Sequence, residues 1–246
     1  MADPHLTPEE ANERLARQYA DLAELAGGLA HEIKNPLSII SLNMELLAED
    51  FDEVDTIAAR RAQGKLVVMQ QECQRLRDLL DDFLRFTKVH RPQLESTNLN
   101  AVVERVINLV RPQAEAAGIE IIMYLDAELP WVMMDGEAFH GAVLNLVLNA
   151  QQAMPDGGQL VVRTSEKPNW VALDLIDTGI GMDSKTLTRM FDAFFSTRDG
   201  GSGLGLPTTR KIIEAHGGRI DVESEVGRGT HFRVELPVPA RLTLDL

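Results

Sequence analysis

His31, Glu32 and Asn35 bring an imidazole, a carboxylate and an amide together within little more than one helical turn. An imidazole titrates at about 6.5, so at pH 7 it is mostly neutral and offers one ring nitrogen as a nucleophile. Glu32 can accept the Nδ1 proton, which sets the tautomer and leaves Nε2 to attack. Asn35 is four residues beyond His31 and shares its face. The same residue types also suit a solvated helix face, so type alone leaves both readings open.

A second set lies in the other half of the chain. Asn145 and Asn149 are four apart in L-N-L-V-L-N-A-Q-Q-A (144–153). Asparagine is unfavourable mid-helix, and two on one face among Leu and Val need polar partners. An amide carbonyl can ligate a hard cation, or both amides can simply bond nearby backbone. Asp177-Thr178-Gly179-Ile180-Gly181 follows the buried-strand pattern V-A-L-D-L-I. An aspartate there can accept from an exocyclic amine, and the glycines permit close backbone approach; the same string also suits a turn. Phe191-Asp192-Ala193-Phe194-Phe195-Ser196-Thr197-Arg198 then precedes Gly201-Ser202-Gly203-Leu204-Gly205-Leu206. Glycines opening a helix present free N–H groups and the positive dipole end to phosphate, and Arg198 adds a charge. The three phenylalanines fit anchors of a mobile lid.

Two kinds of periodicity must position these residues. After a lead-in at 1–8, helix signals begin near Glu9, with Thr7, Pro8 and Glu10 suited to a cap. Leu22, Leu25, Leu29, Ile33, Leu37, Ile40, Met44 and Leu47 recur at helical spacing. His31 stands two residues from both Leu29 and Ile33, which turns it away from that stripe. Gly27-Gly28 and Pro36 make the surrounding stretch able to bend. Leu66, Met69, Cys73, Leu76, Leu80, Phe83 and Thr87 form a second seam of heptad type. A hairpin of two such helices has too little inside to bury both stripes, so a four-helix bundle in a homodimer is expected. From Arg91-Pro92 onward, helices of ten or more residues alternate with strands, which implies helices on one face of a mixed sheet. Helices are expected near 98–117, 136–154 and 204–216, and strands near 119–125, 131–134, 159–164, 170–176, 220–224 and 230–236.

Composition narrows the classes. The 246 residues carry a net charge of −14, which argues against a nucleic-acid backbone or an anionic membrane as the main partner. One cysteine, Cys73, excludes an internal disulfide or a cysteine metal cluster. No stretch approaches the roughly 18 apolar residues of a membrane span. Acidic residues at Asp3, Glu9, Glu10, Glu13, Asp21 and Glu24 do not fit a secretory signal, so a cytoplasmic protein is expected. Neither a Gly-x-x-x-x-Gly-Lys-Ser/Thr loop nor a strand–Gly-x-Gly-x-x-Gly–helix unit occurs, which disfavours those nucleotide folds.

Residues 29–37, L-A-H-E-I-K-N-P-L, resemble the phosphoacceptor box of two-component sensor histidine kinases, in the form seen in the nitrogen-regulation type. The strings at 144–153, 177–181, 191–198 and 201–206 resemble, in order, the N box, first glycine box, F box and second glycine box of that family's ATP-binding domain. G-R-G-T-H-F-R-V-E-L-P (227–237) matches its ending. The resemblance runs from about Ala20 to Pro237. It implies a helical hairpin followed by a Bergerat-type (GHKL) α/β sandwich, related to the gyrase, mismatch-repair and chaperone ATPases.

The implied organisation is a lead-in at 1–8, a dimerisation and histidine phosphotransfer domain at 9–90, a linker at 91–97, a catalytic ATP-binding domain at 98–239 and a tail at 240–246. The implied reaction is ATP-dependent phosphorylation of His31 and transfer to an aspartate of a response-regulator receiver domain. The resemblance also implies phosphatase activity toward that regulator. Glu32 would act as acid/base and Asn35 would orient water. ATP would be held by Asn145, Asn149, Asp177, Gly179, Gly181, Ser196, Thr197, Arg198, Gly201, Ser202, Gly203, Leu204, Gly205, Leu206 and Thr230, with Mg²⁺ on Asn149. Three positions depart from the family pattern: Gln152 stands where a basic residue is common, Gly141 where Gln is frequent, and Arg198 where Lys is usual. None removes an implied catalytic group. The 28 residues ahead of the box hold no sensory domain, so either a fragment of a longer kinase or a core that listens through a separate sensor protein is expected.

Overall fold

The computed structural model describes residues 33–49, 51, 56–88, 92–198 and 201–238. The chain divides into two compact units: Met1–His90 with Arg198–Ser202, and Arg91–Thr197 with Gly203–Leu246.

The first unit contains helix α1 (33–49) and helix α2 (Ile57–Lys88). Thr56 starts α2, its hydroxyl accepting from the Ala59 N–H at 3.1 Å. Lys34 pairs with Asp81, and Arg77 donates to the Leu37 carbonyl and the Ser41 hydroxyl. Residue numbers rise along one helix as they fall along the other, so the pair is antiparallel. Leu37, Met44, Leu66 and Cys73 form the core between them, with Ala48 and Phe51 packed against it. Alternate members of the same heptads stay outside: Ile33, Ile40, Leu47, Met69 and Leu76 are exposed, Ile40 at 47% and Leu76 at 51%. Each seam therefore buries one position per heptad within this chain and presents the other to a further surface.

The second unit begins with β1 (Glu95–Thr97), which falls inside the stretch expected as a linker. Its antiparallel partner is β3 (Val132–Met134), so backbone pairing fixes what residue type suggested was a free connection. Between them come α3 (Leu99–Ala116) and β2 (Ile119–Tyr124). Then follow α4 (Gly136–Gln152), β4 (Gly158–Lys167) and β5 (Trp170–Asp177). The chain continues through α5 (Ser184–Arg189), α6 (Gly205–Ala215), β6 (Arg219–Glu225) and β7 (Gly229–Pro237). Helix α5 lies in the polar stretch where no element was expected; it is short, and Asp183 caps it through Thr186 N–H at 2.7 Å. Asn98 and Asp135 cap α3 and α4 in the same way.

The main sheet has the order β2-β4-β5-β7-β6, with β2 parallel to β4 and the other neighbours antiparallel. Strand alternation separates its faces. Leu160, Val162, Val171, Leu173, Leu175, Phe232, Val234 and Leu236 are buried with Val103, Ile107, Phe139, Leu146, Val147 and Ile213 of the helices. The opposite face is charged. Asp174, 0% exposed, accepts from Arg163 at 3.0 Å, from His231 Nε2 at 2.7 Å and from Arg233 at 2.7 Å. Beside it, buried Glu235 pairs with Lys167 and Arg219.

Burial pushes the Asp174 carboxyl up, but hydrogen bonds from Arg233, His231 and Arg163 outweigh that and hold it at about 2. A carboxyl lowered on folding contributes stability that is complete above about pH 4 and disappears as pH falls through about 2. Asp174→Asn is expected to lower unfolding free energy by about 2–3 kcal/mol at pH 7 and to flatten the acid limb, as read by urea unfolding at a series of pH values. An unchanged acid limb would refute this assignment.

Candidate functional site

Helix α4 is the spine of the candidate site. Asn145 and Asn149 stand on successive turns of it, and the Ala153 carbonyl at its end receives the Ile180 N–H at 2.9 Å. The Asn145 amide donates to Thr209 Oγ1 on α6 at 2.9 Å. Where the helices meet, a Cβ on Gly205 would come within 2.4 Å of Asn145 Oδ1, so a side chain there would force the Asn145 amide to move. Leu204 at the start of α6 is fully buried, and no side chain caps the helix. Its first N–H groups and its dipole therefore suit an anion.

Asp177 ends β5 and is buried. Its Oδ1 accepts from Gly179 N–H at 2.9 Å and from Thr230 N–H at 3.1 Å. Among the described residues Oδ2 has no partner, which leaves an acceptor for a donor from outside the chain. Burial pushes this carboxyl up, against the pull of the two N–H groups. Its neighbours Gly179 and Gly181 lie in a loop held from both sides. A Cβ on Gly179 would meet the Ala153 carbonyl oxygen at 2.6 Å, and one on Gly181, whose φ is +64°, would meet the Glu225 carbonyl oxygen at 2.0 Å.

The sequence pattern missed one residue here. Ser224 Oγ accepts from Met182 N–H at 2.9 Å and donates to the Gly229 carbonyl at 2.9 Å, and it lies 3.0 Å from Thr230 Oγ1. With the Gly227 N–H bond to the Ile180 carbonyl at 2.8 Å, it fastens the glycine loop to the β6–β7 hairpin. The alternation I-D-V-E-S placed this hydroxyl on the inward face with Ile220 and Val222, where it had to find a partner.

The phenylalanine segment follows. Phe194 has a φ of +65° and is 62% exposed, and its N–H donates to the Gly203 carbonyl at 3.0 Å. The Arg189 guanidinium lies 4.3 Å from the Phe195 ring centroid, and that of Arg210 lies 5.4 Å from Phe191. Ser196 and Thr197 are exposed at the end of this segment.

The second unit thus assembles Asn145, Asn149, Asp177, Gly179, Gly181, Gly203, Leu204, Gly205, Leu206 and Thr230 around α4, α6 and the ends of β5 and β7. Arg198, Gly201 and Ser202 group with the first unit, as does Asn35, which is exposed on α1. His31 and Glu32 lie outside the described residues, and so does the expected outward orientation of the imidazole. Chemically, the second unit offers a buried acceptor, glycines that admit a close ligand, and an uncapped helix start. These fit a flat heterocycle with an amino donor carrying an anionic tail. No helix among the described residues is long and apolar enough to cross a membrane.

Comparison with known proteins places a name on each half. Residues 21–92 match the family described as His Kinase A (phospho-acceptor) domain. Residues 134–240 match the family described as Histidine kinase-, DNA gyrase B-, and HSP90-like ATPase. The chain is 33% identical over 233 residues to the signal transduction histidine-protein kinase AtoS of Escherichia coli (strain K12), covering 94% of this chain and 37% of that protein. It is 34% identical over 217 residues to the sensor histidine kinase ZraS of the same organism, covering 88% of this chain and 46% of ZraS. The chain therefore spans between a third and a half of these curated relatives. Among solved structures, full-length ShkA in complex with AMPPNP has a TM-score of 0.70 at 26% identity, covering 87% of this chain and 45% of that one. Histidine kinase ThkA in complex with the response regulator protein TrrA has a TM-score of 0.66 at 25% identity, covering 96% and 68%.

The two-sided grip on the glycine loop is testable without any ligand. Gly181→Ala puts a Cβ against backbone in a left-handed conformation and is expected to cost about 3 kcal/mol in urea unfolding. Gly227→Ala, with positive φ but nothing within 4 Å, is expected to cost only about 1 kcal/mol. Equal costs would mean that the close approach to Glu225 is not a constraint.

Proposed function

This chain belongs to the two-component sensor histidine kinases, as a catalytic core of that family, and on that premise we propose that it phosphorylates its own His31 from ATP and passes the phosphoryl group to an aspartate of a response-regulator receiver domain. The observation that carries this is the presence, on one chain, of the L-A-H-E-I-K-N-P-L box within a phospho-acceptor match and of the α4–α6–Asp177 pocket within an ATPase match. An ATPase without signalling would leave the histidine box without purpose. A silent scaffold would not need a buried carboxylate with an open acceptor.

In the proposed reaction Asp177 Oδ2 accepts from the adenine amino group, while Gly179 and Gly181 let the base approach the backbone. The N–H groups at the start of α6 and the side chains of Ser196, Thr197, Arg198 and Ser202 take the phosphates. Asn145 and Asn149 line the same side, and the Asn149 amide is the proposed protein ligand of Mg²⁺, which takes few protein oxygens when phosphates and water supply the rest. Bound Mg²⁺ supplies charge neutralisation on the phosphates. His31 Nε2 attacks the γ-phosphorus in line: the Nε2–P bond forms, the bond to the β–γ bridging oxygen breaks, and ADP leaves. Glu32 holds the Nδ1 proton throughout. The receiver carboxylate then attacks phosphorus and His31 leaves with its lone pair. For the reverse balance, Asn35 orients water on the phosphorylated regulator, and the bend at Pro36 sets the ratio of the two activities. Motion of the ATP-binding domain about the connection ahead of β1 brings the γ-phosphate to His31. Residues 9–90 serve dimerisation and phosphotransfer, and 98–239 serve catalysis. The core works in the cytoplasm, with input from a separate sensor protein or from a longer chain of which this is part.

The exposed half of each heptad supports a homodimer in which two hairpins form a four-helix bundle. Sedimentation equilibrium is expected to give a dimer for the wild type and a shift toward monomer for the Ile40→Lys, Leu76→Lys double variant; a wild-type monomer at high concentration would refute it. For the chemistry, incubation with γ-labelled ATP is expected to give an acid-labile, base-stable label on His31. The label should be absent in His31→Gln and reduced at least about a hundredfold in Asn149→Ala. Label retained in His31→Gln would overturn the proposed reaction.

A further inference from the structure

Hydrogen bonds tie α6 to α4 toward each end of α6. Near the proposed phosphate end, Asn145 bonds Thr209. Roughly 10–15 Å away along the helices, the end of α6 meets the start of α4 through His216. This histidine is buried, its ring packed edge-on against Phe139 with centroids 6.0 Å apart. Its Nδ1 donates to the Ile212 carbonyl at 2.6 Å, and its Nε2 accepts from the Asp135 N–H at 2.9 Å. Both nitrogens are thereby committed, one as donor and one as acceptor.

Asp135 extends the chain of bonds. Its Oδ1 caps α4 through Ala138 N–H at 3.0 Å, and its Oδ2 receives the Gln93 N–H at 3.1 Å. The Ala138 bond leads the causes that hold this carboxyl below the usual range. Gln93 is exposed and stands just after the division between the two units at His90 and Arg91. A continuous path of hydrogen bonds and covalent backbone therefore runs from the entry segment of the second unit, through the cap of α4, to the end of the helix whose start carries the second glycine box.

We propose that His216 is a positioning residue that sets the register of α6 on α4, and that the Gln93–Asp135–His216 path makes nucleotide affinity respond to the entry segment. This rests on the reading of the α4–α6 pocket as the ATP site. Without the His216 bonds, α6 loses its hydrogen-bonded tie to the start of α4. Its glycine-bearing start then shifts relative to Asn145 and Asn149, and nucleotide binding weakens while the transfer groups stay intact.

The test is calorimetric titration of the full chain with Mg-ATP, beside autophosphorylation as a function of ATP concentration. His216→Phe keeps a ring against Phe139 but removes both nitrogens; it is expected to raise Kd and KM about tenfold with kcat within about threefold. His216→Gln offers one acceptor and one donor and is expected to return Kd to within about threefold of wild type. Gln93→Pro removes one exposed N–H beside Pro92 without touching the core, and is expected to raise Kd about threefold; it decides the matter if His216→Phe does not fold. Wild-type Kd in Gln93→Pro, or a His216→Gln variant as impaired as His216→Phe, would overturn the proposal. A wild type that binds Mg-ATP but acquires no label would refute the proposed kinase reaction and leave the ratio of Kd values to decide this inference. A wild type that binds no Mg-ATP would end both.

Discussion

The second unit is organised around a carboxylate that must be buried and yet keep one oxygen open. Asp177 meets both demands by stacking two backbone N–H bonds on Oδ1, from Gly179 and Thr230. Each donor comes from a different segment, so satisfying the charge also fixes where those segments lie. The Thr230 bond holds the end of β5 to β7, and the Gly179 bond starts the turn that Ile180, Gly181 and Met182 continue. Ala153 and Ser224 then grip that turn from opposite sides. Without the glycines none of this closes, because a Cβ at 181 or 229 would overlap backbone carbonyl oxygen at 2.0 Å or less.

Charge on the far side of the sheet follows a different logic. Asp174 and Glu235 are buried and paired with cations, Asp174 with Arg163 and Arg233 and Glu235 with Lys167 and Arg219. Each carboxylate has at least two cationic partners, so neither is left as an uncompensated buried charge. The face that carries no proposed chemistry is thus held by ion pairs, and apolar packing is kept for the face where α4 and α6 must hold their register.

The helical unit shows what one chain can and cannot bury. Two α-helices in contact share a single stripe, so Leu37, Met44, Leu66 and Cys73 close over each other while Ile40, Met69 and Leu76 remain outside. Polar ties across the pair, Lys34 to Asp81 and Arg77 to Ser41, sit beside the segment that carries the phosphoacceptor box and set the pairing of the helices there.

Much of the architecture was legible because local periodicity and caps act over a few residues. The helix and strand spans near 98–117, 136–154, 170–176 and 204–216 follow from the switch between helical and alternating spacing. The ordered boxes at 29–37 and 144–206 also sufficed to name the family that the comparisons support. What lay beyond the sequence depends on partners distant along the chain. β1 needed β3 to exist, since an isolated three-residue strand carries no pattern of its own. Ser224 and His216 each draw their meaning from groups on other elements, at Met182 and Gly229 for one and at Asp135 for the other. A hydroxyl or imidazole can bond in many directions, and only the packed chain selects one. The sequence alone therefore determined the longer elements and the residue types available for chemistry; the tertiary structure decided where the short elements β1 and α5 form, which oxygen of Asp177 stays open and which backbone groups hold the pocket in shape.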